Sequence, residues 1–248
     1  EHKIDVAMHF AAFIEVGESV AEPARYFDNN FVRTKRLVDA ILAAGVRRFV
    51  FSSTAAVYGE PVELPIPESH PKSPTSPYGW SKLFVEEMLR AYEKPFGLKS
   101  VIFRYFNAAG AAPGRGEDHS PESHLIPIIL QAAAGLRPSI KVFGTDWPTP
   151  DGTCVRDYVH VMDLAEAHRL AVEALGDGHP GGAYNLGNGE GYSVRQVIDT
   201  ARKVTGREIR VEEAPRRAGD PARLVASSQR ARKELGWTPR IPDLERIV

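Results

Sequence analysis

Three short runs, at residues 4–10, 48–53 and 100–106, are apolar almost from end to end, and two long stretches of helical periodicity separate them. A strand that alternates apolar and polar residues leaves one face to water, whereas one that is apolar throughout has both faces covered. Strand, helix, strand, helix, strand with doubly covered strands predicts an α/β fold: a doubly wound parallel sheet with helices on either side.

The breaks fall where backbone chemistry puts them. Over 27–44 the apolar residues Phe31, Val38, Ile41 and Leu42 recur at helical spacing, and Gly45 supplies a left-handed stop. Ser76 and Pro77 open a second helix, predicted to end near Lys94 ahead of Pro95 and Gly97. Residues 107–161 change character, gathering Gly, Pro and His around a short helix (125–135) and a strand (140–144). A capped helix at 163–175 and a strand at 183–186 return to the first layer, and helices capped by Ser193 and Ser227 complete a smaller mixed α/β C-terminal lobe. The expected division is one unit of 1–108 with 162–186, and a second of 109–161 with 187–248.

Composition closes off other classes. Basic and acidic side chains number 31 and 32, so no whole-chain field draws this protein to nucleic acid or an anionic membrane, and any anion site must be local. Cys154 is the single cysteine, which excludes an internal disulfide and any zinc site needing two thiolates, and fits a reducing, cytoplasmic compartment. His160 and His168 lack metal-ligand company and read as structural; no metal is expected.

Tyr78 and Lys82 lie four apart, on one face of the second helix about a turn apart. Such pairs are common on solvated helices, but an ammonium close to a phenol favours its anion, and a tyrosine so placed can act as a base. The strand before that helix ends in Ser52-Ser53-Thr54, which puts hydroxyls at the carboxyl end of a parallel sheet, where α/β folds bind ligands.

The segments Ser52-Ser-Thr-Ala-Ala-Val-Tyr-Gly59, Ser76-Pro-Tyr-Gly-Trp-Ser-Lys82 and Arg104-Tyr-Phe-Asn-Ala-Ala-Gly110, in that order, resemble the extended short-chain dehydrogenase/reductase superfamily. The segments beginning at Phe10, Asp151, Tyr184 and Pro215 are similar to its UDP-glucose 4-epimerase branch, so the resemblance spans essentially the whole chain. It implies a Rossmann-type sheet, NAD as cofactor, and inversion of a UDP-sugar at C4 through a transient 4-keto intermediate, an isomerase activity. Residue by residue it makes Tyr78 the acid/base, Lys82 its electrostatic partner and a nicotinamide-ribose ligand, and Thr54 the hydroxyl aligned on the sugar O4. Phe10, Ala11, Ala12, Asn30 and Phe106 fall where relatives line the dinucleotide. Asn107, His124, Leu125, Phe143, Arg156, Arg217 and Asp220 fall around the uridine diphosphate. Arginine forks suit a diphosphate, and by sequence alone Phe143 reads as core as readily as stacking partner. Ile14 stands where relatives carry a cofactor-contacting lysine, and His124 where many carry Asn.

Two rival readings stay open. A nucleotide-sugar 4,6-dehydratase or decarboxylase on the same scaffold needs acid/base groups just after the hydroxyl residue, where this chain has Ala55 and Ala56. A non-catalytic sugar-nucleotide-binding protein would have no use for Thr54, Tyr78 and Lys82 together. A dinucleotide fold also needs a glycine-rich first turn, and none precedes residue 4. By the resemblance 4–9 is an inner strand, with about 60–70 residues expected before it, and the 248 residues as written are expected not to turn over. Finally, Trp80, Phe84, Met88 and Ala91 form a second stripe on the Tyr78 helix, which predicts a homodimer through helices 27–44 and 77–94.

Overall fold

The computed structural model describes residues 3–217 and 220–248; Ala218 and Gly219, inside the Pro215–Asp220 motif, lie outside the described residues. In chain order come β1 (Ala7–His9), α1 (Val16–Ala21), α2 (Pro23–Tyr26), a π-helical segment (Phe27–Val32), α3 (Arg33–Ala43), β2 (Arg48–Thr54), a 3-10 turn (Ala55–Val57), α4 (Pro77–Phe96) and β3 (Lys99–Tyr105). There follow β4 (Asn107–Ala109), α5 (Leu125–Ala133), β5 (Ile140–Phe143), β6 (Val155–Arg156), β7 (Tyr158–His160), α6 (Val161–Gly176) and β8 (Gly181–Leu186). The rest is β9 (Tyr192–Ser193), α7 (Val194–Thr205), β10 (Val211–Ala214), β11 (Arg223–Leu224), α8 (Gln229–Leu235) and α9 (Leu244–Ile247).

The main sheet has the order β1-β2-β3-β8, every pairing parallel. Its strands are apolar throughout because each face has its own cover. Val50, Val101 and Phe103 pack on Leu164, Ala167, Ala171 and Leu175 of α6, with Trp237. Phe49, Phe51 and Ile102 point the other way, onto Val38 and Leu42 of α3 and Val85 and Leu89 of α4. Among the described residues β1 pairs with β2 at one side of this sheet, and Ile4, Met8 and Phe10 are more exposed than buried. A second apolar core joins Ile126 and Ile129 of α5, Val142 of β5, Val197, Ile198 and Ala201 of α7, and Leu244 and Ile247 of α9.

Several boundaries depart from expectation for identifiable reasons. Helix α4 runs through Pro95 to Phe96 before Gly97 (φ 66°) ends it. The missing N–H falls in the last turn, where Phe96 packs edge-on to Tyr92 at 4.9 Å. Helix α6 starts at Val161, two residues early, because the His160 ring accepts the Met162 N–H at 3.1 Å. The Asp163 carboxylate is spent instead on the N–H groups of Arg240 and Ile241, tying down the chain after α8. Ser228, not Ser227, precedes α8, and its hydroxyl turns away to bond the backbone of Gly187.

Candidate active site

Strand β2 delivers Thr54 in extended conformation at its carboxyl end, where its hydroxyl accepts the Ala56 N–H at 3.1 Å and starts the 3-10 turn. The Ser76 hydroxyl caps α4 by accepting the Gly79 N–H at 3.2 Å, with Pro77 in the first turn. A Cβ at position 79 would lie 2.6 Å from the Ala56 carbonyl oxygen, so only glycine lets the start of α4 dock on that turn. This close approach brings Tyr78 alongside Thr54. Burial pushes the Tyr78 phenol above its ordinary pKa; a hydrogen bond with Thr54 works against that rise and the charge of Glu15 adds to it.

One turn further, Lys82 is buried with its ammonium donating to the Ser52 carbonyl at 2.8 Å and lying 4.9 Å from the centre of the Phe51 ring. Burial pushes its pKa down to about 8. The expected lowering of the tyrosine by its lysine neighbour is therefore not what the geometry yields: the ammonium is held by backbone, and burial governs the phenol.

Thr54 and Tyr78 open onto a cleft of about 770 Å³ that Phe106, Asn107, His124, Leu125 and Tyr158 also line. Of the expected substrate residues, Asn107, His124 and Leu125 thus share one space with the reactive pair. His124 is more encumbered than its sequence suggests. Its Nδ1 lies 2.9 Å from Glu122 and 3.0 Å from Glu117, two carboxylates that sequence reasoning missed although they sit in the run Glu117-Asp118-His119 and at Glu122 just ahead of it. The other four gather outside this cleft: the Arg217 guanidinium stacks on the Phe143 ring at 4.1 Å, and Arg156 lies 3.8 Å from Asp220.

Phe10, Ala11 and Ala12 form the loop leaving β1, with Phe10 against the His168 ring at 4.9 Å. Asn30, buried in the π-helical segment, is fully spent on the chain itself. Its amide donates to the Phe13 carbonyl at 2.9 Å and the Ser81 hydroxyl at 3.1 Å, while its oxygen accepts the Phe13 N–H at 2.9 Å. It clamps the loop after β1 to α4, and a π-bulge is a common device for aiming one such side chain.

Residues 1–247 match the family model described as GDP-mannose 4,6 dehydratase. The whole chain is 55% identical to a UDP-glucose 4-epimerase of Halalkalibacterium halodurans, of which it covers 75%. A crystal structure of a UDP-glucose 4-epimerase superposes with TM-score 0.96 at 50% identity, over 100% of this chain and 76% of that one. A UDP-glucose 4-epimerase from Bifidobacterium longum in complex with NAD+ and UDP gives TM-score 0.93 at 41% identity, over 99% of this chain and 74% of that one.

Proposed function

This chain belongs to the UDP-glucose 4-epimerase family, and from that premise we propose that Thr54, Tyr78 and Lys82 carry its reaction. The reaction is the NAD-dependent epimerisation of a UDP-sugar at C4, an isomerase activity. What supports the assignment is the convergence of Thr54 and Tyr78 on one cleft, with Lys82 pinned a helical turn behind them. Tyr78 takes the proton from the sugar O4 and returns it, and Thr54 orients that oxygen. Burial opposes the tyrosinate, and the hydrogen bond with Thr54 works against that rise.

The donor set suits the cofactor. A buried ammonium has three donors, and Lys82 places one of them on a protein acceptor, the Ser52 carbonyl, which leaves capacity for a ribose diol. Lys82 and Tyr78 would hold that ribose; Phe10, Ala11, Ala12, Thr54 and Phe106 would line the dinucleotide, in a loop held by Asn30. Bound NAD supplies a hydride acceptor and donor for the sugar C4. Ala55 and Ala56 offer no group able to move a proton at the neighbouring carbon, which disfavours elimination despite the dehydratase description of the matching family model.

In the same reading Asn107, His124 and Leu125 flank the sugar diphosphate, and Phe143, Arg156, Arg217 and Asp220 meet the uridine end, where arginine forks suit phosphate oxygens. Residues 1–108 with 162–186 act as the dinucleotide unit and 109–161 with 187–248 as the sugar-nucleotide lobe. The test is interconversion of UDP-galactose and UDP-glucose by the holoenzyme without net change in cofactor redox state. Thr54→Val is expected to keep more of that turnover than Tyr78→Phe, since it removes an orienting hydrogen bond and leaves the proton carrier. Equal losses would reassign Thr54.

The quaternary proposal is a two-fold dimer. Phe84 stacks on Phe27 at 5.7 Å and meets Phe31 at 5.7 Å, yet Trp80, Phe84 and Leu37 each remain 39% exposed. A stripe on both α4 and the 27–44 helices fits burial against its own copy as a four-helix bundle. Light scattering is expected to give twice the chain mass at micromolar concentration; a monomer there refutes the dimer. Among the described residues no helix is long and apolar enough to cross a membrane, and a cytoplasmic location belongs to this proposal.

A further inference from the structure

The face of α4 that carries Tyr78 and Lys82 continues for another turn to Glu86, and Glu86 is almost wholly buried. A carboxylate in such a place is costly unless its charge is paired and its lone pairs are filled. Both conditions are met. Arg104 of β3, equally buried, grips it side-on through two guanidinium nitrogens, Nε to Oε1 at 3.0 Å and Nη2 to Oε2 at 2.6 Å. Ser53 of β2 donates its hydroxyl to Oε1 at 2.5 Å. The remaining arm of Arg104 donates to the Tyr58 hydroxyl at 2.8 Å and the Glu68 carbonyl at 3.2 Å. Tyr58 in turn donates to Asn185 of β8 at 2.6 Å, whose amide donates to the Ile66 carbonyl at 2.8 Å.

Such a pair is a poor device for stability, because well-packed apolar residues of similar volume often do as well or better. Its position suggests another use. Ser53 precedes Thr54; Tyr58 ends the 3-10 turn on which Gly79 and Tyr78 dock; Arg104 lies on the strand that leads to Phe106 and Asn107; Glu86 is on the helix of Tyr78 and Lys82. With Lys82 tied to the Ser52 carbonyl and Glu86 to the Ser53 hydroxyl, α4 is stapled to β2 at two successive residues, and its roll and slide relative to Thr54 are set.

We propose that Glu86, acting through Ser53 and Arg104, is a positioning residue of the epimerisation: it fixes the Tyr78 phenol relative to Thr54 without touching the substrate. The proposal rests on the assignment of Tyr78 and Thr54 above. A misplacement of about 1 Å at a reacting pair costs up to ~10²-fold in rate, so the network's effect is read in kcat.

The experiment compares holoenzymes. Glu86→Leu combined with Arg104→Met removes both charges together, leaving neither partner buried alone. It is expected to melt within a few degrees of the parent while kcat falls about tenfold or more and KM for UDP-galactose stays within about threefold, the signature of an interaction felt only in the transition state. A kcat within about twofold of the parent at matched melting temperature overturns the proposal. Ser53→Ala guards against a double variant that does not fold: it cuts the staple and leaves the ion pair. It is expected to lower kcat about threefold with Ser53→Thr restoring it, and an unchanged kcat in Ser53→Ala overturns the proposal as well. Tyr78→Phe serves as the control. If Tyr78→Phe turns over freely, the assignment of the site has failed; if it is inactive while the Glu86 and Ser53 variants are unimpaired, only the positioning role has.

Discussion

Tyr78→Phe is expected to lower kcat at least ~10²-fold, the range for a lost general acid/base, with UDP-sugar binding retained. The phenol stands in the cleft wall beside Thr54, and its ring stays in place when the hydroxyl goes, so ground-state contacts survive while the proton of O4 has no carrier. Steady-state kinetics with UDP-galactose check this, alongside UDP binding by calorimetry. Turnover within a few-fold of the parent would mean that another group moves the proton.

Lys82→Met is expected to act in opposite directions on activity and stability. Burial holds the lysine at about 8, below the ordinary 10.5 that it regains on unfolding, so the fold disfavours its charged form. Below about pH 8 the protein carries this cost in full, and stability climbs as pH rises from about 8 towards 10.5, above which the amine is neutral in both states. The difference corresponds to a cost on the order of 3 kcal/mol at neutral pH. Methionine has similar length and no charge to desolvate. The variant is expected to melt several degrees higher than the parent at pH 7, with the gap closing near pH 10.5, while kcat falls at least ~10²-fold for want of the donor that would hold the nicotinamide ribose in line with the sugar. A variant that melts lower at pH 7 would show that the bond to Ser52 outweighs desolvation. A gain in stability at the cost of activity is the expected exchange at a site built for chemistry.

What the sequence determined by itself was the part written in local chemistry. Runs apolar on both faces made the strands parallel and covered. Ser76 and Pro77 started α4, Gly45 and Gly97 (φ 86° and 66°) stopped the helices, and the spacing of Tyr78 and Lys82 put them on one face. These follow from dihedral preference, period and capping, which act over a few residues. The tertiary structure alone decided the rest. Asn30 was legible as a position in a motif, but not as a clamp on Phe13 and Ser81, 17 and 51 residues away. Asp163 was legible as the start of a capped helix, but not as the holder of Arg240 and Ile241 across 77 and 78 residues. The direction of the Tyr78 pKa was misjudged from spacing, because one helical turn brings an ammonium near but does not say that a carbonyl from another strand will hold it. Nothing in the sequence pairs Glu86 with Arg104, and they meet only because β3 and α4 are laid side by side. Local preferences act through neighbouring backbone, whereas burial, desolvation and the partner of a charge depend on which distant segments meet.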